Sequence, residues 1–120
     1  MWLEIHTGES TLTIDMSSEG DGKASGPTPH DLYDAALGVC MAMTVLWYST
    51  HKHIAVESIE VSVDRDAAQE RAGIYRLSTT LAVTGELNAA QRDELFRVVQ
   101  KCPVHRLMTE VTTEISTRSA

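Results

Sequence analysis

The feature that most constrains the fold of this chain is a long segment, residues 29–48, that contains no proline after its first residue and opens with a helix start signal. Thr28 precedes Pro29 and lies three residues before Asp31. This is the order expected of an N-cap, a first helical residue and a capping-box acid. From residue 32 to residue 48 apolar side chains recur at intervals of three and four. The segment therefore predicts one long helix that begins at Pro29.

The predicted apolar surface of this helix is wider than one core-facing stripe. The main stripe consists of Tyr33, Ala36, Leu37, Cys40, Met43, Thr44 and Trp47, and it is extended by Met41, Val45 and Leu46. A helix that is apolar around most of its circumference is usually covered on more than one side. Two explanations are open: a homodimer in which two such helices pack together, which we favour, or one sheet that covers a wide face.

Segments of alternating apolar and polar residues surround this helix and predict strands. They form a hairpin of residues 2–5 with 12–16, a second hairpin of residues 59–63 with 75–83, and a last strand at residues 111–115. Asn88, with Gln91 three residues later, predicts a second helix. Pro103 must interrupt that helix. We therefore predict an α+β fold in a single domain, residues 1–120, with strands flanking a long central helix.

Charge and hydropathy exclude several classes of function. The chain has 17 acidic against 10 basic residues, a net charge of −7, and its basic residues are scattered. Nucleic acid is therefore not an expected partner. The longest apolar run, residues 39–47, is interrupted by Thr44 and is too short to span a bilayer, and the amino terminus lacks a leader pattern. We expect a cytoplasmic protein that does not enter a membrane, in which two cysteines are buried thiols or a redox or metal pair.

The cysteine that precedes a proline, Cys102, has the more distinctive surroundings. If Pro103 opens a short helix, Cys102 is its N-cap, where the helix dipole favours a thiolate. His105 at N3 and Arg106 could lower the thiol pKa further. The alternative is an inert core position, because free cysteine is among the most buried residue types. Both interpretations stay open on local pattern alone.

The other cysteine, Cys40, lies in the middle of the predicted long helix among small residues. On spacing alone it is a core position. Gly38 nearby lowers helix stability by about 1 kcal/mol relative to alanine, which close packing or access to the sulfur would explain.

A metal site is a further alternative for the same residues. Cys102, His105 and Cys40, with one of His30, His51 or His53, could supply four ligands. CPVH has a plausible ligand spacing, but the remaining residues form no paired ligand motif. We therefore expect no bound metal and no resident cofactor.

Taken together, GPTPHDLYDAALGVCMAMTV, the IEVSV strand and KCPVHRLM resemble the OsmC/Ohr family of thiol-dependent peroxidases and their OsmC-like relatives. The similarity covers residues 20–120 in order as well as in motif. It implies a domain-swapped α+β homodimer with central long helices and two active sites near the subunit boundary.

The resemblance also implies roles for the two cysteines. Cys40 would be the peroxidatic thiol, which attacks an organic hydroperoxide and becomes a sulfenic acid. Cys102 would be the resolving thiol, which forms a disulfide that a dithiol co-substrate such as dihydrolipoamide reduces. The alternative is a non-enzymatic or ligand-binding relative that keeps the scaffold and has lost efficient turnover.

The family pairs its reactive thiol with an arginine from the amino-terminal region and a glutamate ten residues before the first cysteine. In this chain the first arginine is Arg65, and His30, followed by Asp31, takes the place of the glutamate. The candidates for substrate binding or pKa tuning are therefore His30, Asp31, His105 and Lys23.

Overall fold

An antiparallel hairpin at the amino terminus consists of β1 (Trp2–Thr7) and β2 (Ser10–Asp15). Its register pairs Leu3 with Ile14 and Ile5 with Leu12, so these apolar side chains share one face. The predicted first hairpin is confirmed. The computed structural model describes residues 1–15 and 26–120, and the chain divides into two compact units, Met1–Tyr33 and Asp34–Ala120.

The predicted long helix is α1 (Pro29–His51), and it starts where the sequence indicates. The backbone N–H of Thr28 donates to Asp31 Oδ2 at 3.0 Å, and the N–H of Asp31 donates to Thr28 Oγ1 at 3.1 Å. These reciprocal hydrogen bonds form the capping box that satisfies amides at the helix start.

The buried face of α1 differs from the predicted stripe. Its buried residues are Asp34, Leu37, Met41, Val45 and Ser49. The stripe chosen from the sequence was wrong at its outer positions, since Met43 and Trp47 are 63% and 62% exposed. The prediction failed because it counted apolar residues only, whereas the helix buries two polar side chains whose hydrogen bonds are made within the protein.

The second predicted hairpin is formed by β3 (Val56–Asp66) and β4 (Arg76–Gly85), which pair antiparallel around a short 3₁₀ helix at Glu70–Ala72. Gly38 of α1 packs on this hairpin, because a Cβ placed on Gly38 would lie 3.2 Å from Val63 Cγ2. Close helix packing is therefore the reason for the mid-helix glycine. Gly85 ends β4 at a φ of 141°, where a Cβ would lie 2.1 Å from the Ala55 carbonyl oxygen.

Two further helices follow the hairpin: α2 (Ala89–Val99) and α3 (Pro103–Thr109). Asn88 and Gln91 form the predicted capping box of α2, and Leu95 and Val99 are buried. The Tyr48 hydroxyl donates a hydrogen bond to Glu94, which joins α1 to α2 and raises the pKa of Tyr48. The core of this unit combines the buried residues of α1 and α2 with Ile54 and Cys102.

The predicted last strand is absent from the structure, where residues 111–120 form neither helix nor strand. Within the described residues each sheet has two strands, β1 with β2 and β3 with β4. A strand needs a partner for its backbone groups, and the alternating residues 111–115 have none of these strands beside them. Val111 and Ile115 are accordingly 43% and 85% exposed.

The long helix also bears on the expectation that the chain avoids membranes. Among the described residues, α1 is by length and composition long and apolar enough to cross a bilayer. That expectation rested on the apolar run at residues 39–47, which is shorter than the whole helix. The core helix of a soluble protein meets the same criterion, and α1 contributes Leu37, Met41 and Val45 to the core.

Candidate thiol site

The two cysteines lie against each other although 62 positions separate them in the sequence. Cys40 is in the middle of α1 and Cys102 is the N-cap of α3, and Cys40 packs against the core cluster that contains Cys102, close enough to affect the pKa of the Cys102 thiol. Both are free thiols. Cys102 is 1% exposed, whereas Cys40 is only partly buried. The pair therefore combines one partly exposed cysteine with one enclosed cysteine.

Burial dominates the acidity of the enclosed thiol. Burial raises the pKa of Cys102, the neighbouring Cys40 raises it further, and the backbone amides of His105 and Val104 partly oppose the rise. The N-cap position predicted for Cys102 is confirmed, and of the two interpretations left open, burial favours the neutral core thiol over the thiolate. The helix end acts in the predicted direction and is outweighed, because the ionised form would lose its hydration in the core.

The cations expected to assist Cys102 have other roles. Arg106 Nε lies 3.4 Å from Glu110 Oε2, one turn further along α3, and forms an exposed ion pair. The His105 side chain is exposed and lines a cavity of about 320 Å³. Of the four candidate tuning residues, His105 is thus the one that the structure places within a turn of Cys102.

Two of the other three candidates, His30 and Asp31, lie in the first turn of α1. Asp31 serves in the capping box of α1, and His30 is exposed in the first turn of the same helix. Lys23 lies outside the described residues. Across residues 1–15 and 26–120, no three His, Cys, Asp or Glu side chains are grouped as metal ligands.

A buried polar cluster that the sequence analysis missed lies on α1 before the thiol site. Asp34 is 6% exposed; Arg65 Nη1 donates to its Oδ2 at 2.7 Å, and the Tyr75 hydroxyl donates to its Oδ1 at 2.6 Å. Burial and the hydrogen bond to Asp34 raise the pKa of Tyr75. Both carboxylate oxygens are therefore satisfied, which offsets part of the cost of burying the charge.

A sequence signal for this cluster was available. Arg65 continues the inward-facing series Ile59, Val61 and Val63 at period two, and Asp34 lies one turn before the core residue Leu37. A basic and an acidic residue at core-facing positions predict a mutual ion pair. The helix separation from Asp34 to Cys40, six residues, corresponds to about 9 Å along the axis.

Comparison with protein families adds the decisive observation. The model of the family described as OsmC-like protein matches residues 20–116, most of the chain and both cysteine motifs. The chain belongs to the OsmC-like family. The resemblance stated from the two cysteine motifs is therefore confirmed.

Solved structures agree with the OsmC-like fold. An OsmC-like protein from Mycoplasma pneumoniae is similar with a TM-score of 0.68 at 17% identity, covering 92% of this chain and 80% of that chain. An osmotic stress induced and detoxification response protein from Psychrobacter arcticus has a TM-score of 0.65 at 17% identity, covering 91% and 88%. An organic hydroperoxide resistance protein OsmC from Legionella pneumophila has a TM-score of 0.61 at 19% identity, covering 92% and 90%.

These similarities establish the mixed α+β fold. None of the curated protein sequences matches this OsmC-like chain.

Proposed function

We propose that this OsmC-like protein is a thiol-dependent peroxidase that reduces organic hydroperoxides to alcohols. The observation that carries the proposal is the proximity of Cys40 and Cys102, with the first residue partly exposed and the second enclosed. The family match and the similarity to an organic hydroperoxide resistance protein support the same reaction class.

The proposed first step occurs at Cys40, since it is the more exposed of the two cysteines. The Cys40 thiolate attacks the outer oxygen of the hydroperoxide, an S–O bond forms and the O–O bond breaks. The organic oxygen takes a proton and leaves as an alcohol. The sulfur is thereby oxidised to a sulfenic acid and the hydroperoxide is reduced by two electrons.

The proposed second step uses the enclosed thiol. The Cys102 sulfur attacks the Cys40 sulfur, an S–S bond forms, and the hydroxyl leaves as water with the Cys102 proton. A dithiol such as dihydrolipoamide then reduces the disulfide by two thiol exchanges, so no bound cofactor is required. Because its raised pKa keeps Cys102 protonated at neutral pH, Cys102 does not compete with Cys40 for the peroxide.

We further propose that the protein works as a homodimer of the domain-swapped kind. The stripe Val39, Met43, Leu46 and Trp47 of α1 is between 57% and 63% exposed. The amino-terminal hairpin is two-stranded and has an apolar face, and such hairpins are marginal in water without a partner surface. A second copy of the chain would cover both surfaces and could pair the unpaired residues 111–115.

The proposed setting is the reducing cytoplasm, in which two free thiols persist between turnovers. There the partners are a small organic hydroperoxide and a dithiol, with no role for nucleic acid or a membrane.

One observation favours the alternative, a ligand-binding relative without efficient turnover. Arg65, the first arginine of the chain, donates to Asp34 about 9 Å along α1 from Cys40. The Arg65 guanidinium is therefore engaged in the polar cluster with Asp34. If no other group polarises the O–O bond of the hydroperoxide, the reaction of Cys40 with peroxide would be slow.

Titration of the reduced protein with cumene hydroperoxide tests the proposal. Both thiols should disappear with one equivalent of peroxide, one cumyl alcohol should form, and dihydrolipoamide should restore turnover. Cys40→Ser should abolish the reaction, and Cys102→Ser should stop after one turnover with a trapped sulfenic acid. Unchanged thiols in excess peroxide would contradict the peroxidase and leave the ligand-binding relative.

A further inference from the structure

The exposed apolar stripe of α1 ends at a histidine. Val39, Met43 and Trp47, which are 57%, 63% and 62% exposed, follow one another at intervals of four residues, and His51 is the next residue in this series. Side chains four residues apart lie on the same face of a helix. His51 is also exposed and is the last residue of α1. A group that changes charge with pH therefore lies at the edge of the surface that the proposed homodimer would cover.

Two contacts hold His51 against Trp47. The ring centroids lie 4.2 Å apart, and His51 Nδ1 donates a hydrogen bond of 2.8 Å to the backbone oxygen of Trp47. Because a carbonyl oxygen only accepts hydrogen bonds, Nδ1 carries the hydrogen of the neutral ring. The second proton is then taken up at Nε2. The ring therefore becomes charged without losing this hydrogen bond.

The surroundings of His51 favour the charged ring while it is exposed to water. A cation at the carboxyl end of a helix is stabilised by the helix dipole, and a cation against a tryptophan ring is stabilised by the ring electrons. The charged groups of the neighbouring elements act on Tyr48: Lys52 Nζ lies 5.9 Å from its ring centroid, and Glu94 and Arg97 of α2 act on its hydroxyl. Within the described part of the chain, no carboxylate forms an ion pair with His51.

Covering the stripe would change this balance. A second copy packed on Trp47 would exclude water from the His51 ring, and loss of water disfavours a charged group more than a neutral one. Among the described residues of the same chain, no carboxylate is paired with His51 to offset that loss. The covered state therefore favours neutral His51, and the exposed state accepts the proton.

We propose that protonation of His51 weakens the contact between two copies of the chain, so that the dimer dissociates as the pH falls below about 6. The inference rests on the proposed homodimer and adds a form of regulation to it. It links the assembly to acidity because histidine changes charge between about pH 5 and 8. Val39 of the same stripe precedes Cys40, so uncovering the stripe would also alter the surroundings of the reactive thiol.

The overall charge of the chain predicts the opposite dependence on pH. The net charge is −7 and the isoelectric point is about 5.1, so repulsion between two copies decreases as the pH falls toward that point. On this ground alone, acid would favour association. Dissociation on acidification would therefore require a group at the interface.

The experiment follows the dimer by fluorescence-detected sedimentation of the reduced full chain over a dilution series. Between about pH 7.5 and about pH 5.5 the dissociation constant should rise by about tenfold for each histidine, about 100-fold for the two in a dimer. At the acid end, the slope of log Kd against pH should approach about two protons per dimer. An unchanged dissociation constant, or tighter association at low pH, would overturn the inference.

Two variants assign the effect to one histidine. His51→Gln keeps a polar side chain that does not titrate, so its dissociation constant should not rise in acid. His53→Asn is the matched control, because His53 lies beyond the end of α1 and asparagine tolerates its φ of 54°. This control should keep the wild-type rise. A full rise in the His51→Gln protein would overturn the inference, and the slope measured on the unaltered protein tests it even if a variant misfolds.

The inference and the proposed function fail separately. If the dimer dissociates in acid but cumene hydroperoxide leaves the thiols unchanged at about pH 7.5, the pH-dependent assembly stands and the peroxidase is wrong. If peroxide is consumed but the dimer persists at about pH 5.5 at every concentration, the peroxidase stands and the inference is wrong. A monomer at every pH would contradict the homodimer and the inference together, whatever the thiols do with peroxide.

Discussion

Two regions along α1, one of which includes the start of α3, bury ionisable groups in opposite ways. Asp34 makes hydrogen bonds to Arg65 and Tyr75 through both of its oxygens, so its position in the core depends on specific partners. Cys102, which packs against Cys40 further along the helix, is held as a neutral thiol whose pKa is raised by burial. The first region buries a charge whose cost is partly offset by its partners, and the second avoids burying a charge.

Because of this difference, we expect substitutions in the first region to affect the stability of the fold and substitutions in the second to affect its redox chemistry. Removing one member of the Asp34 cluster leaves a buried charge or a hydrogen-bond donor without its partner. Substitutions there should therefore lower the free energy of unfolding. Loss of a sulfur at the thiol pair removes a small apolar group and a reactive atom, so changes there should mainly alter redox chemistry.

The largest expected effect comes from Asp34→Ala. It leaves Arg65 and Tyr75 without their shared acceptor and should cost about 3 kcal/mol of unfolding free energy, the lower end for a broken buried ion pair because Arg65 is one-third exposed. Urea denaturation at matched protein concentration measures it. Under native conditions, thiol oxidation by cumene hydroperoxide should persist.

Asp64→Ala is the matched control, because Asp64 is an exposed neighbour of Arg65 on β3. It should change stability by no more than about 0.5 kcal/mol. If Asp34→Ala stays folded and loses thiol oxidation, the division between the two regions is wrong.

A smaller effect is expected from Tyr75→Phe, which keeps the ring and removes one hydrogen bond to the Asp34 carboxylate. The loss should be about 2 kcal/mol, as for hydrogen bonds to charged groups. In a double-mutant cycle with Asp34→Ala, the two losses should be strongly non-additive because they share Asp34. Additive losses would show that Tyr75 stabilises the protein by packing instead.

The comparison also explains which parts of the molecule could be predicted from the sequence. Local patterns sufficed for the capping boxes at Thr28 and Asn88, the hairpins and the N-cap at Cys102, because each depends on residues a few positions apart. The resemblance to the family placed Cys40 and Cys102 in one site, and the structure brings the two residues close together, whereas their redox roles stay a prediction. Spacing alone left the core and metal alternatives open.

Long-range packing accounts for what the sequence analysis missed. The ion pair of Asp34 with Arg65 spans 31 positions, and burying two polar side chains shifted the core face of α1 away from its most apolar stripe. The raised pKa of Cys102 likewise depends on how completely the core encloses the sulfur, which the N-cap position alone does not reveal. Residues 111–115 have strand character, but none of the strands in the described part of the chain pairs with them.

Gly38, between the two regions, should give a still smaller effect. Alanine at this position gains about 1 kcal/mol of helix propensity. Its Cβ would approach Val63 Cγ2 to 3.2 Å, and the β-branched Val63 has little rotamer freedom to yield. Since overpacking typically costs 1–3 kcal/mol, we expect a net loss of about 1 kcal/mol in urea denaturation. Clear stabilisation by Gly38→Ala would mean that α1 is not tightly packed on β3.

The smallest effect at neutral pH concerns the enclosed thiol, and it grows as the pH rises. Because the pKa of Cys102 is higher in the folded than in the unfolded protein, both states are protonated at pH 7 and the thiol adds no pH dependence there. Above the ordinary thiol range, about pH 8.5, the unfolded state ionises first, so stability should fall until the pH passes the folded pKa. In Cys40→Ser protein, where Cys102 is the single thiol, the ultraviolet absorbance of the thiolate, which needs no reagent to reach the enclosed sulfur, should rise with a midpoint above that of an unfolded control in urea. A midpoint below the control would mean that the helix end lowers the pKa of Cys102 and favours its thiolate. Both regions would then bury a charge, and the contrast between Asp34 and Cys102 would no longer hold.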